Sequence, residues 1–170
     1  MEKIKDLLII GGDSRQLYMA DHLEERGFNI AVYGLPERGR KCVTELKSAV
    51  EAADAVILPL PVSRDGRYVF SIVPVKETFD EMAAMFHKDQ PIFAGMLSHS
   101  MRARLEKRCD EVYDYFERED VTVMNSVPTA QGILKTMLEN IEYTVHSSKC
   151  AVFGYGRIGK ATADVPSALM

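Results

Sequence analysis

At 170 residues the chain can bury one good-sized core, which allows a single domain or a domain plus a fragment. Its 46% hydrophobic and 27% charged residues are ordinary globular values and exclude a chain too polar to fold. A net charge of -4 argues against the broad basic field with which nucleic-acid binders displace counterions from phosphates, so no nucleic-acid partner is expected.

The first apolar run, Leu7 to Ile10, reads as a buried strand. It turns through Gly11-Gly12-Asp13-Ser14 into a helix carrying Leu17, Ala20 and Leu23, which Gly27 is placed to end in a left-handed conformation. Ile30 to Tyr33 reads as a second strand. After a loop with Gly34, Pro36 and Gly39, a helix bears Leu46, Ala49, Val50 and Ala53 on one stripe. Ala55 to Leu60 is the third predicted strand. The longest apolar run, broken by Pro59 and Pro61, is far short of the ~20 residues that span a bilayer, so no membrane segment is expected. No signal-peptide pattern opens the sequence either, and a cytoplasmic location is expected.

The turn-rich stretch from Pro59 to Gly66 follows a strand, where α/β folds place their binding loops. Phe79, Met82, Ala83 and Phe86 then mark a helix. Ile92 to Ala94 reads as a strand, and Ser98 or Ser100 can cap a helix carrying Met101 and Leu105. Tyr113 to Asp120 reads as a solvated face joined to two packed aromatics. Val121 to Met124 is predicted as the fifth strand, entering at Asn125-Ser126-Val127-Pro128-Thr129 a helix with Ala130, Ile133, Leu134, Met137, Leu138 and Ile141 at helical spacing. Cys150 to Phe153 reads as a sixth strand. Cys42, Cys109 and Cys150 form no CxxC pair, so they are expected to be partly buried free thiols, and no metal site is expected.

Strands alternating with helices predict an α/β fold: a doubly wound, mostly parallel five-stranded sheet of the Rossmann or flavodoxin-like kind. Three strand-to-helix corners are expected at its carboxyl edge: Gly11-Gly12, Pro59 to Gly66, and Asn125 to Thr129. At the first, Arg15 can offer a planar fork to a carboxylate, while Asp13 or Ser14 can equally be an ordinary helix cap. A fourth corner, Gly154-Tyr-Gly156-Arg-Ile-Gly159, has the GxGxxG spacing of a dinucleotide turn. Few residues follow it, and Pro166 lies where the phosphate-binding helix should continue. The expectation is therefore an incomplete site that binds no cofactor by itself.

The segments Ile9 to Leu17, Leu58 to Gly66, Tyr115 to Glu119, Asn125 to Gly132 and Val152 to Gly159, in this order, resemble the A subunit of dipicolinate synthase. Gln131, where that family is expected to carry an acid, and Ser147, where it is expected to carry glycine, depart from the resemblance. It implies a substrate domain over residues 1–125, an interdomain helix and linker over 126–148, and the start of an NAD(P)-binding Rossmann domain over 149–170. It implies oxidation of a dihydrodipicolinate-type ring to dipicolinate in sporulating bacteria, together with a flavoprotein-like B subunit, and leaves a homo-oligomer open. By the same resemblance the substrate is placed at Gly12, Asp13, Arg15, Gln16, Ser63, Asn125 and Thr129, with Asp65 as the proton acceptor. Gly154, Gly156, Arg157 and Gly159 are placed on the cofactor. Two other readings compete: a truncated, catalytically silent partner-binding subunit or fragment, and another two-domain NAD(P)-dependent dehydrogenase of a small acid, with the architecture of alanine dehydrogenase or adenosylhomocysteinase.

Overall fold

A computed structural model describes residues 4–36 and 42–167, so Gly39 lies outside the described residues. The elements run β1 (Asp6–Ile10), α1 (Ser14–Glu25), β2 (Asn29–Tyr33), α2 (Leu46–Glu51), β3 (Ala55–Ile57), α3 (Phe79–Ala83), β4 (Ile92–Ala94), α4 (His99–Glu106), β5 (Val112–Asp114), α5 (Glu119–Asn140) and α6 (Arg157–Ser167). They divide into two compact units, residues 1–116 and 117–170.

The first unit holds one five-stranded sheet of order β2-β1-β3-β4-β5, with every pair parallel. Its strands read as near-continuous apolar runs because both faces are covered. One face packs Leu8, Ile10, Val56, Leu58 and Ile92 with Leu46, Val50, Phe79, Met82 and Leu105. The other packs Leu7, Ile9, Val32 and Ile57 with Leu17 and Ala20 of α1. Gly27 has φ +89, the left-handed conformation expected after α1. The order 2-1-3-4-5 reverses direction between β1 and β3, which is where open α/β sheets form a ligand crevice.

The fifth strand differs from its expected position. β5 is Val112–Asp114, in the segment expected to be a solvated face, and Val121 to Met124 lies inside α5. A short run of β-branched residues does not by itself separate strand from helix. Here Glu119 and Asp120, acids in the first turn, suit a helix that starts before the run. Pro128 therefore sits within α5, not at its start. The Asn125 to Thr129 segment is consequently no strand-to-helix corner.

The second unit packs α5 against α6. Cys150 to Phe153 forms no strand, and Cys150 is an exposed free thiol. A parallel strand needs a neighbour to take up its backbone hydrogen bonds, and no strand is described in this unit. Pro166 does not stop α6, which continues to Ser167 with the proline in its last turn. No helix among the described residues is long and apolar enough to cross a membrane.

Candidate functional site: a crevice at the sheet switch point

The turn after β1 requires its glycines. Gly11 has φ +70, and a Cβ there would meet the Phe70 carbonyl oxygen at 2.6 Å. Gly12 has φ +103, and the space of its missing side chain is filled by Gln16. Gln16 is buried because it folds back to cap: its Oε1 accepts from the Asp13 N–H at 2.9 Å, and the Asp13 carboxylate caps the first turn of α1 in return. Asp13 is thus the helix cap, and Gln16 its reciprocal partner.

The same Asp13 carboxylate also positions Arg15. Arg15 Nε lies 3.0 Å from Oδ1 and Nη2 lies 2.9 Å from Oδ2, a two-point pairing that holds the Asp13 carboxyl below its ordinary pKa. Nη2 donates a further bond, 2.7 Å long, to the Leu60 carbonyl beyond β3. The fork therefore crosses the switch point from the β1 loop to the β3 loop. Nη1 makes no hydrogen bond among the described residues, and half of the side chain is exposed.

The β3 loop is fixed from several sides. The Val62 N–H donates to the Gly95 carbonyl, and the Tyr115 hydroxyl donates to the Leu58 carbonyl at 3.0 Å. Burial raises the Tyr115 pKa, so its proton stays in place at neutral pH. Asp114, at the end of β5, accepts from the Met96 and Leu97 N–H groups and holds Met96 at φ 62. Residues Val69 to Ile72 complete the wall: Gly12 N–H donates to the Phe70 carbonyl, Ile72 N–H to the Gly12 carbonyl, and Phe70 N–H to the Val62 carbonyl.

Ser63 and Asp65 are occupied by their own loop. Asp65 Oδ1 accepts from the Tyr68 and Arg67 N–H groups and from the Ser63 hydroxyl, and the Gly66 N–H donates to Ser63 Oγ. The backbone bonds from Tyr68 and Arg67 lower the Asp65 pKa. A carboxylate stabilised in its charged form is a weaker base, which counts against Asp65 as the proton acceptor.

Asn125 and Thr129 lie within α5 in the second unit, where the Thr129 hydroxyl donates to the Asn125 carbonyl. In that unit Gly154 has φ +100, and a Cβ on Gly159 would overlap the Gly154 carbonyl. That close approach is what the third glycine of a dinucleotide turn permits, and α6 begins at Arg157 directly after the turn. Arg157 itself pairs with Glu119. The glycine turn and helix start thus fit a pyrophosphate, while the strand that should precede them is not formed. No cluster of metal-ligating side chains occurs among the described residues.

Four contributors were given no individual role from the sequence, although Leu60 lies in the expected binding loop and Tyr115 opens one of the segments of the resemblance: the Leu60 carbonyl, Phe70, Tyr115 and Asp114. Tyr115 and Asp114 carried a usable signal, since an acid and an aromatic ending an apolar Val112 are what a strand's carboxyl edge can present. Leu60 acts through its carbonyl and Phe70 through backbone atoms and a ring that meets its neighbours only in the fold, and neither left a signal.

An all-parallel sheet of order 2-1-3-4-5 with helices on both faces defines a Rossmann-like α/β domain. Residues 6–116 match the family described as the N-terminal domain of the dipicolinate synthase A subunit. The chain belongs to that family. It is 26% identical to the A subunit of dipicolinate synthase from Bacillus subtilis (strain 168), over 96% of this chain and 57% of that protein. A crystal structure of the dipicolinate synthase A chain from Bacillus subtilis is similar with a TM-score of 0.73 and 26% identity, covering 99% of this chain and 59% of that one. The crystal structure of the dipicolinate synthase A subunit from Bacillus halodurans has the same fold, with a TM-score of 0.77 and 24% identity over 97% of this chain and 59% of that one. The chain thus spans less than two thirds of the length of these relatives.

Proposed function

We propose that this chain supplies the substrate-binding part of an NAD(P)-dependent oxidoreductase that converts a dihydrodipicolinate-type cyclic dicarboxylate to dipicolinate, in the cytosol of a sporulating bacterium. The observation that carries the reading is the Arg15 fork, held by Asp13 and by the Leu60 carbonyl across the sheet switch point. Its charge cannot be lost at any physiological pH, and Nη1 is left for a carboxylate. Gly12 lets backbone approach the ligand, whereas Asp13 and Gln16 act by setting the turn and the arginine. Ser63 and Asp65 shape the facing loop, and no side chain is assigned as the proton acceptor.

Aromatising the ring releases a hydride and a proton, and NAD(P)+ supplies the hydride acceptor when bound. Gly154, Gly156 and Gly159, with Arg157 at the start of α6, are the residues that would hold its pyrophosphate. Asn125 and Thr129 remain substrate contacts by resemblance alone. A flavoprotein-like B subunit is the proposed partner. Exposed Met124, Phe153 and Tyr155 in the second unit favour one competing reading, a silent subunit that only binds a partner chain.

Calorimetric titration of the purified chain separates the two. Dipicolinate is expected to bind, Arg15→Ala to weaken it ~10–100-fold through loss of a charged hydrogen bond, and NADH and NADPH to bind no more tightly than ~1 mM. Absence of dipicolinate binding sinks the substrate reading and leaves the partner-binding one. Micromolar NADH binding would instead move the cofactor to a site other than the incomplete glycine turn.

A further inference from the structure

A ring with two carboxylates needs two anchors, and Arg15 supplies one. The loop after β3 carries a second arginine with the features of the other. The guanidinium carbon of Arg64 stands 4.0 Å from the centre of the Phe70 ring. A guanidinium held against an aromatic face keeps its N–H groups directed outward in its own plane, so the stack orients the cation without using up its donors.

Phe70 is itself fixed from both sides. Its carbonyl accepts from Gly12 N–H at 2.7 Å and its N–H donates to the Val62 carbonyl at 2.8 Å. The ring that carries Arg64 therefore belongs to the strip of backbone bordering the Gly11-Gly12 turn. Arg64 also contributes to holding down the Asp13 pKa, behind the larger effects of Arg15. Asp13 is nevertheless committed at both oxygens to Arg15, and Arg64 makes no ion pair among the described residues. Its neighbour Asp65 turns its carboxylate into the loop backbone. The remaining arginine of the loop, Arg67, stands 5.3 Å from the centre of the Tyr68 ring and has its small effect on Glu81 of α3, whereas the charges that act on Asp13 are those of Arg15 and Arg64.

We propose that Arg64 is the second carboxylate-binding residue of the crevice, working with Arg15 to set a preference for a small dicarboxylate over the matching monocarboxylate. The proposal rests on the reading of the crevice given above. Arg64 is exposed and its side chain lies over the Phe70 ring at the surface, so its variants are expected to fold.

The test is calorimetric titration of the chain with pyridine-2,6-dicarboxylate and, separately, pyridine-2-carboxylate. The unaltered chain is expected to prefer the dicarboxylate by ~10-fold or more, which corresponds to ~1.4 kcal/mol. Arg64→Gln should lose ~10-fold of dicarboxylate affinity while moving the monocarboxylate by less than ~2-fold, and Arg64→Lys should fall between. Arg67→Gln should change neither. Equal loss for both ligands in Arg64→Gln, or no loss for either, overturns the assignment while leaving the crevice reading intact. If the unaltered chain binds neither ligand, the crevice reading falls and this proposal with it.

Discussion

Residues 6–116 and 117–167 use similar apolar content to different ends. In the first unit Leu8, Ile9, Ile10, Leu58 and Phe79 are fully enclosed, because a central sheet gives every helix something to cover. In the second, only Ser126 and Ala130 of the 22-residue α5 are buried, while Leu138, Met124 and Phe153 face outward. Two packed helices have one shared seam, whereas a sheet has two faces to be covered. Burial, and with it the definition of a site, follows from the number of layers more than from the apolar residues available.

The sharpest way to break this contrast is to truncate one side chain in each unit and measure unfolding by urea. Phe79→Ala is expected to cost about 3–5 kcal/mol, the range for a large aromatic removed from a closed core, whereas Leu138→Ala should cost under about 0.5 kcal/mol. Similar losses at the two positions would show that the second unit buries more than its geometry provides.

Glycines give a second, smaller contrast of opposite sign. Gly11→Ala places a Cβ against the Phe70 carbonyl and Val69 at positive φ and is expected to cost about 2–4 kcal/mol. Gly132→Ala has open space around it inside α5 and should stabilise that helix by about 0.5–1 kcal/mol. Thermal melts followed by circular dichroism check both, and a stabilising Gly11→Ala would refute the close approach of Phe70 to the turn.

The smallest expected effect is pH-dependent. Asp13 has a folded pKa below its ordinary 3.8, so its contribution is fully present above that value and is lost as pH falls through the lower, folded pKa. Asp13→Ala should therefore cost about 1 kcal/mol at pH 7, as other lost helix caps do, and the gap from the unaltered chain should close in acid. A gap that stays constant down to about pH 2 would mean the carboxylate charge contributes nothing to the cap.

Where the periodicity of the chain is undisturbed, its sequence was a good guide. Leu7 to Ile10, Ile30 to Tyr33 and Ile92 to Ala94 announced three strands because a doubly covered parallel strand is apolar throughout. The parallel sheet followed from the helices between them. Val121 to Met124 misled because β-branched residues suit either element, and the decisive contribution came from two acids upstream. Cys150 to Phe153 has the composition of a strand but lacks a described partner strand. Of the crevice, Gly11, Gly12 and Arg15 could be read directly, since a glycine pair between a strand and a helix marks a turn at the sheet's carboxyl edge and Arg15 follows it in the first helical turn. The Leu60 carbonyl and the Phe70 ring could not, because their importance arises only when segments distant in sequence meet.

That separation has a consequence for how the crevice comes into being. The Arg15 bond to Leu60 closes a loop of 45 residues, and the Gly12 bond to Phe70 closes a longer one. Local turns such as the Asp13–Gln16 box can form early, but loop closure across such distances must await the sheet that brings the ends together. The crevice is therefore complete only once the sheet has formed. The proposed carboxylate ligand, seated across those two bonds, would recognise the finished molecule and no partly folded form, and so would also act as a latch on the native state, with a strength that grows with the logarithm of its concentration.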